Sequence, residues 1–278
     1  MPDTVIRHAD FVSQQVIPRH VDVWLPAECA AEPARRFPVL YMHDGQNLFD
    51  PATSSIGVAW EVDRAARRLI DAGVIPPPII VGVWCTERRW QEYMPQRPLR
   101  DYAGDMNVGD SQFRLAEIDP RLAGGLLSDA YLRFLVGELK PFIDQTYPTR
   151  PEREQTFIMG SSMGGLISLY ALCSYPDLFA AAGCVSTHWP AAAGATGAHL
   201  PTLLPPPGRH KLYFDYGTAT LDAEYEPHQQ QVDQIMQTAG YTPGQDWLTR
   251  KFEGADHSER AWRARVHIPL AFMLGANR

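Results

Sequence analysis

Ser162 stands between Gly160 and Gly164 in the run Gly160-Ser161-Ser162-Met163-Gly164. A serine with glycines two residues away on either side fits a nucleophile held on a very sharp turn. The missing Cβ atoms let the backbone close, and the hydroxyl projects clear of it. The same five residues arise by chance in Gly/Ser loops, so their surroundings decide. Residues 155–159 (Gln-Thr-Phe-Ile-Met) are a short β-rich apolar segment, and residues 165–172 have the composition of a helix. A helix that starts just behind the serine offers free N–H groups and a partial positive charge to a developing oxyanion. Ser162 is central and is the candidate nucleophile; Ser161 is assigned to structure.

A serine alcohol is a weak nucleophile at neutral pH. It needs a general base, and the base needs an orienting carboxylate. Strand, G-x-S-x-G and helix together form the nucleophile elbow of an α/β-hydrolase, in which acid and then histidine follow the serine. The base is therefore expected in the last strand–helix loop, where Gly254-Ala255-Asp256-His257-Ser258 contains one histidine of the chain's nine. His257 is that candidate, and Asp256 beside it is expected to shape the loop. The acid is expected after the strand ending at Gly217. Asp222 is favoured, with Asp215 and Glu224 as alternatives.

The oxyanion needs two backbone donors. One is expected from Met163, the residue after the nucleophile. The other is expected from the loop after the strand 38–42, which reads His43-Asp44-Gly45-Gln46-Asn47. Gly45 lets the chain turn back, and Gln46 is the first amide past it. His43 and Asp44 lack a third partner at metal-ligand spacing, so they are not expected to hold a metal, and the acyl-enzyme chemistry needs no metal or organic cofactor. Trp90 and Trp189 fall in irregular stretches and are candidates for substrate contact, whereas Trp60 and Trp84 are balanced between core packing and the site.

These residues must be carried by a scaffold, and the chain alternates strand-like and helix-like segments, as a mostly parallel sheet covered by helices does. Residues 13–17 and 19–25 are expected as antiparallel edge strands. Strands are expected at 38–42, 79–84, 180–186, 211–217 and 248–252, and helices at 60–73, 131–144, 225–239 and 260–274. Residues 85–130 and 187–209 are expected as irregular loops over one site. With no internal repeat or linker, residues 1–278 are expected to form a single domain.

The composition bounds the function classes. Hydrophobic residues make up 45% and charged residues 21% of 278 positions, which is the balance of a globular chain. The net charge of −7 argues against nucleic-acid binding. No apolar run is long enough to span a bilayer, so no membrane association is expected. The start Met1-Pro2-Asp3-Thr4-Val5 has no signal-peptide pattern. The four cysteines have no metal-like or paired spacing. Both features give a cytoplasmic expectation. Oligomeric state is not readable.

With these residues assembled, the chain resembles the Putative esterase family of α/β-hydrolases, which includes feruloyl and acetylxylan esterases, enterochelin esterases, formylglutathione hydrolase and secreted mycolyltransferases. The matching stretches are residues 39–50, 132–144, 159–165, 175–179 and 254–258. The resemblance implies the α/β-hydrolase fold, catalysis by Ser162 and His257, and an oxyanion hole made by the amides of Gln46 and Met163. It does not fix the acid or the substrate. The expected activity is hydrolysis of a small-molecule carboxylic ester, sugar-linked, aromatic-acid or short acyl, through an acyl-enzyme. The alternatives are an acyltransferase that passes the acyl group to a sugar alcohol, and a non-catalytic carbohydrate-binding protein on the same scaffold.

Overall fold

The computed structural model describes residues 2–99 and 119–275. One eight-stranded sheet organises them: β1 (Thr4–Phe11), β2 (Arg19–Leu25), β3 (Val39–His43), β4 (Ile79–Val83), β5 (Thr156–Ser161), β6 (Ala181–Val185), β7 (Lys211–Gly217) and β8 (Trp247–Phe252). The spatial order is β1-β2-β4-β3-β5-β6-β7-β8. The pairs β1–β2 and β2–β4 are antiparallel, and every pair from β4 through β3 to β8 is parallel. This is the α/β-hydrolase architecture expected from the sequence.

The central strands β3, β4, β5 and β6 are buried along their whole length. Their apolar composition follows from helices covering both faces. Leu132, Leu135, Leu166 and Leu169 pack on one face with Tyr41, Val81 and Ile158. Trp60, Val62, Trp262 and Leu270 pack on the other with Leu40, Ile80 and Met159. The helix Val62–Asp71 ends where Gly73 takes φ +66° and donates to the Ile70 carbonyl, a left-handed stop that glycine adopts without strain.

Three expectations are corrected. The first edge strand is Thr4–Phe11, whereas residues 13–17 form a turn in which the Ser13 hydroxyl accepts the N–H groups of Gln15 and Val16. That local bonding competes with strand pairing. Residues 187–209 are largely helical, with a 3₁₀ turn Ala191–Gly194 and a helix Ala195–Leu203. Within 85–130, short helices cover Arg89–Tyr93 and Pro120–Leu122 and a longer one begins at Ser128. Residues 100–118 of that expected loop lie outside the described residues.

Candidate active site

Six parallel strands, β3 to β8, carry the candidate residues beyond their C-terminal ends, where open α/β sheets place their functional groups. Ser162 directly follows β5, with φ 58° and ψ −122°, a conformation rarely adopted by a residue with a side chain. A Cβ on Gly160 would lie 2.8 Å from the backbone carbonyl of Gly164, and one on Gly165 would lie 2.8 Å from Thr187 Oγ1. The glycines therefore permit the tight approach of turn, helix and neighbouring loop. The helix Met163–Ser174 begins at the next residue, so the Met163 N–H is a first-turn donor with no acceptor in the preceding turn. Ser162 itself remains partly exposed.

His257 and Asp222 come together from two other strand ends. His257 Nδ1 lies 2.5 Å from Asp222 Oδ1. The loops that carry them are knitted: Thr218 and Ala219 N–H groups donate to the Ala255 carbonyl, and the His257 N–H donates to Thr220 Oγ1. A Cβ on Gly217 would meet the Ala255 oxygen at 2.1 Å, so this crossing requires glycine. Asp256 accepts from Ser258 Oγ at 2.6 Å, and Ser258 caps the helix Glu259–Arg265. The edges of Tyr225 and Trp262 contact the His257 ring at centroid distances of 5.8 and 5.0 Å.

Asp222 is 1% exposed, and its second oxygen accepts from Ser186 Oγ at 2.6 Å and from the Gly217 N–H at 2.7 Å. Burial pushes its carboxyl up, but the hydrogen bonds from His257, Ser186 and Gly217 outweigh it and hold the carboxyl below the usual range. The alternatives for the acid lie elsewhere: Asp215 is buried against Arg265, and Glu224 is exposed. Ser186, which the sequence analysis missed, is central here. Its hydroxyl donates to Asp222 and accepts from Trp262 Nε1 at 3.0 Å and Arg265 Nη2 at 2.7 Å, which uses its full hydrogen-bonding capacity.

The expected oxyanion turn, Asp44-Gly45-Gln46, follows β3. Asp44 has φ 56°, and a Cβ on Gly45 would lie 2.5 Å from the Gly82 backbone, so the turn is pressed onto β4. Two side chains brace it. Asp44 makes a bidentate pair with Arg89 at 2.7 Å for both bonds. The Gln46 side chain clasps Cys85, donating to its Sγ at 2.9 Å and accepting its N–H at 3.2 Å. Burial pushes the Cys85 thiol up to about 12, so it serves packing and not nucleophilic chemistry. His43 Nδ1 bonds Tyr131 Oη at 2.8 Å, and burial lowers its imidazole to about 3. Among the described residues no group of three or more His, Cys, Asp or Glu could hold a metal ion, and no helix is long and apolar enough to cross a membrane.

The two tryptophans proposed for substrate contact separate. Trp90 is half-buried, stacked at 3.3 Å by the Arg121 guanidinium and touched edge-on by His188 at 5.8 Å. Trp189 is corrected to a core residue. It is 2% exposed, packs on Phe214 and donates its Nε1–H to Gln229 Oε1 at 2.9 Å. Trp60 is likewise buried, against Trp262. Trp84 binds Asp22 near the antiparallel edge.

His188 is a further site residue that the sequence analysis did not single out. Its N–H donates to the Ser162 carbonyl at 3.2 Å, and its Nδ1 lies 2.6 Å from Tyr225 Oη. Burial, with His257, Arg121 and Arg89 nearby, lowers its imidazole to about 4, so it is neutral at pH 7. A cavity of about 610 Å³ opens at the other end of the sheet among Arg35, Arg153, Glu154 and Lys211. The hydrogen-bonded pair of His257 and Asp222 lies instead beyond the C-terminal ends of β8 and β7.

The family model for "Putative esterase" matches residues 17–271. The uncharacterised protein YbbA of Bacillus subtilis (strain 168) is 23% identical over 268 residues, 94% of each chain. The ferri-bacillibactin esterase BesA of the same organism is 27% identical over 196 residues, 68% of this chain and 60% of that one. Among solved structures, a ferulic acid esterase superposes with a TM-score of 0.67 at 18% identity, covering 99% of both chains. An IroE-like serine hydrolase from Shewanella oneidensis superposes at 0.66 and 18% identity, covering 98% of this chain and 79% of that one. Sharing both the fold and the family's pattern along nearly its whole length, the chain belongs to the Putative esterase family of ester hydrolases.

Proposed function

We propose that Ser162, His257 and Asp222 form the catalytic triad of a small-molecule carboxylic ester hydrolase. The observation that carries this reading is the 2.5 Å contact between His257 Nδ1 and Asp222 Oδ1 at the strand ends of the same sheet whose β5 leads into Ser162, held at φ 58° on an elbow. Ionised Asp222 accepts, so the proton of neutral His257 resides on Nδ1 and Nε2 carries the lone pair. Nε2 then takes the Ser162 proton as Oγ attacks the ester carbonyl. The amides of Met163 and Gln46 receive the oxyanion. The imidazolium, stabilised by Asp222, protonates the leaving alcohol. Water activated by His257 then releases the acid and restores Ser162.

The favoured substrate class is an ester of an aromatic acid. Trp90, His188, Tyr225 and His257 form a row of ring contacts, edge-on at both ends and tilted in the middle, that leads to the general base, which suits a planar acyl group. A solved structure of the same fold is a ferulic acid esterase, in keeping with that class. Sugar-linked and short acyl esters are the wider set. The test is turnover of matched aryl and short-chain acyl esters, with and without a sugar alcohol acceptor. Preferred release of the free aromatic acid supports the proposal. Preferred acetyl turnover removes the aromatic assignment, and acyl transfer to the sugar identifies a transferase.

A further inference from the structure

Behind Asp222 lies a second buried carboxylate that the reaction does not use. Asp215, on β7, is 1% exposed. It accepts the Ser186 N–H at 3.0 Å, the Tyr213 hydroxyl at 2.8 Å, and Arg265 Nη2 and Nε at 3.0 and 3.2 Å. Arg265 is 3% exposed, and the same Nη2 lies 3.9 Å from Asp222 Oδ2. One guanidinium nitrogen thus stands between two buried carboxylates, bonded to one and within ion-pair reach of the other. Two carboxylates and one guanidinium leave a net charge of −1, which is the charge that an imidazolium at His257 would neutralise.

We propose that Asp215 is a positioning residue that holds Arg265 off the catalytic acid and so reserves the charge of Asp222 for His257. This rests on the triad reading above. Without the charge of Asp215, Nη2 has only about an ångström to travel to reach hydrogen-bonding distance of Asp222. A cation seated there would oppose formation of the imidazolium and weaken the base. Among the described residues one other carboxylate bears on His257: Glu259, at the start of the helix that carries Arg265, interacts with the imidazole but makes no hydrogen bond to it or to Asp222. Ser186 and the Gly217 N–H are neutral donors. Trp262 lies on the same helix as Arg265 and is neutral. Tyr225, with exposed Glu224 beside it, has its phenol pushed well up by burial and by Asp222. His188 faces His257 from the loop after β6 and is held neutral by burial.

The test is the pH dependence of the rate at which a fluorophosphonate labels the serine. Asp215→Asn keeps the shape of the side chain and removes its charge. It is expected to slow labelling about tenfold and to move the acid-side midpoint down by about one pH unit. Asp215→Asn/Arg265→Met removes both charges and is expected to return the midpoint to that of wild type. A merely structural role would leave the midpoint fixed in both variants, and the second buried substitution would only add to any loss. Labelling reads only molecules with an assembled site, so partial misfolding lowers the amplitude and not the midpoint. Failure of wild type to label overturns the triad reading. Normal wild-type labelling, with the Asp215→Asn midpoint unmoved or with a shift that the double variant fails to reverse, overturns this proposal alone.

Discussion

His257 Nδ1 and Asp222 Oδ1 meet at 2.5 Å across a separation of 35 residues, carried there by the ends of β8 and β7. On the triad reading, Asp222→Asn leaves the volume and most hydrogen bonds intact but no longer stabilises the imidazolium. It is expected to lower kcat about 10³- to 10⁴-fold with little change in the urea midpoint. Steady-state kinetics beside equilibrium unfolding checks this, and near-wild-type turnover would return the role to Glu224 or Asp215.

The crossing of the two loops at Gly217 gives a second expectation. A methyl group there would lie 2.1 Å from the Ala255 carbonyl oxygen, which no real contact allows. Gly217→Ala should displace the His257 loop and lower kcat at least tenfold while KM changes less than twofold. A variant with unchanged kcat would show that the loop position is not needed.

Trp90 and Trp189 should behave oppositely. Trp189→Ala empties a site in the core and should cost about 3–5 kcal/mol of stability. Trp90→Ala removes a half-buried ring beside His188 and should raise KM for aryl esters several-fold with a far smaller stability change. Unfolding curves and KM for the two variants decide this.

The acid limb of stability follows from Asp44 and Asp222. For Asp44, burial pushes the carboxyl up, but Arg89 outweighs it and holds it below the usual range; Asp222 is likewise depressed. A depressed carboxylate contributes stability above its unfolded range and loses it as pH falls through the folded value. Stability should therefore drop below about pH 4, and Asp44→Asn should flatten that drop. Arg89→Met leaves a buried carboxylate unpaired and should cost about 2–3 kcal/mol at pH 7, less than a fully buried pair because Arg89 is partly exposed. Urea titrations across pH read both effects.

The parts of the site that were legible in the sequence are those fixed by local rules. Gly160, Ser162 and Gly164 announce a turn because the turn itself needs them. Strand order points to His257 and narrows the acid to Asp222, Asp215 or Glu224. Helix boundaries such as Gly73 were marked by left-handed stops. What escaped were side chains joined only by tertiary packing: Ser186 bridging Asp222 to Arg265, His188 on the elbow carbonyl, and the Arg89 brace on Asp44. Trp189 was misjudged because residues 187–209 lack apolar periodicity. Ala192, Ala193 and Gly194 are all left-handed there and turn the chain into the helix Ala195–Leu203. Nothing in an alanine pair forecasts that conformation.

The central claim is that Ser162 is the nucleophile, and mass spectrometry of the intact protein and its peptides after exposure to a fluorophosphonate tests it most directly. The account predicts one adduct per chain, located on Ser162, absent in Ser162→Ala, and accompanied by loss of ester hydrolysis. An adduct on another residue, or full esterase activity in Ser162→Ala, would contradict it.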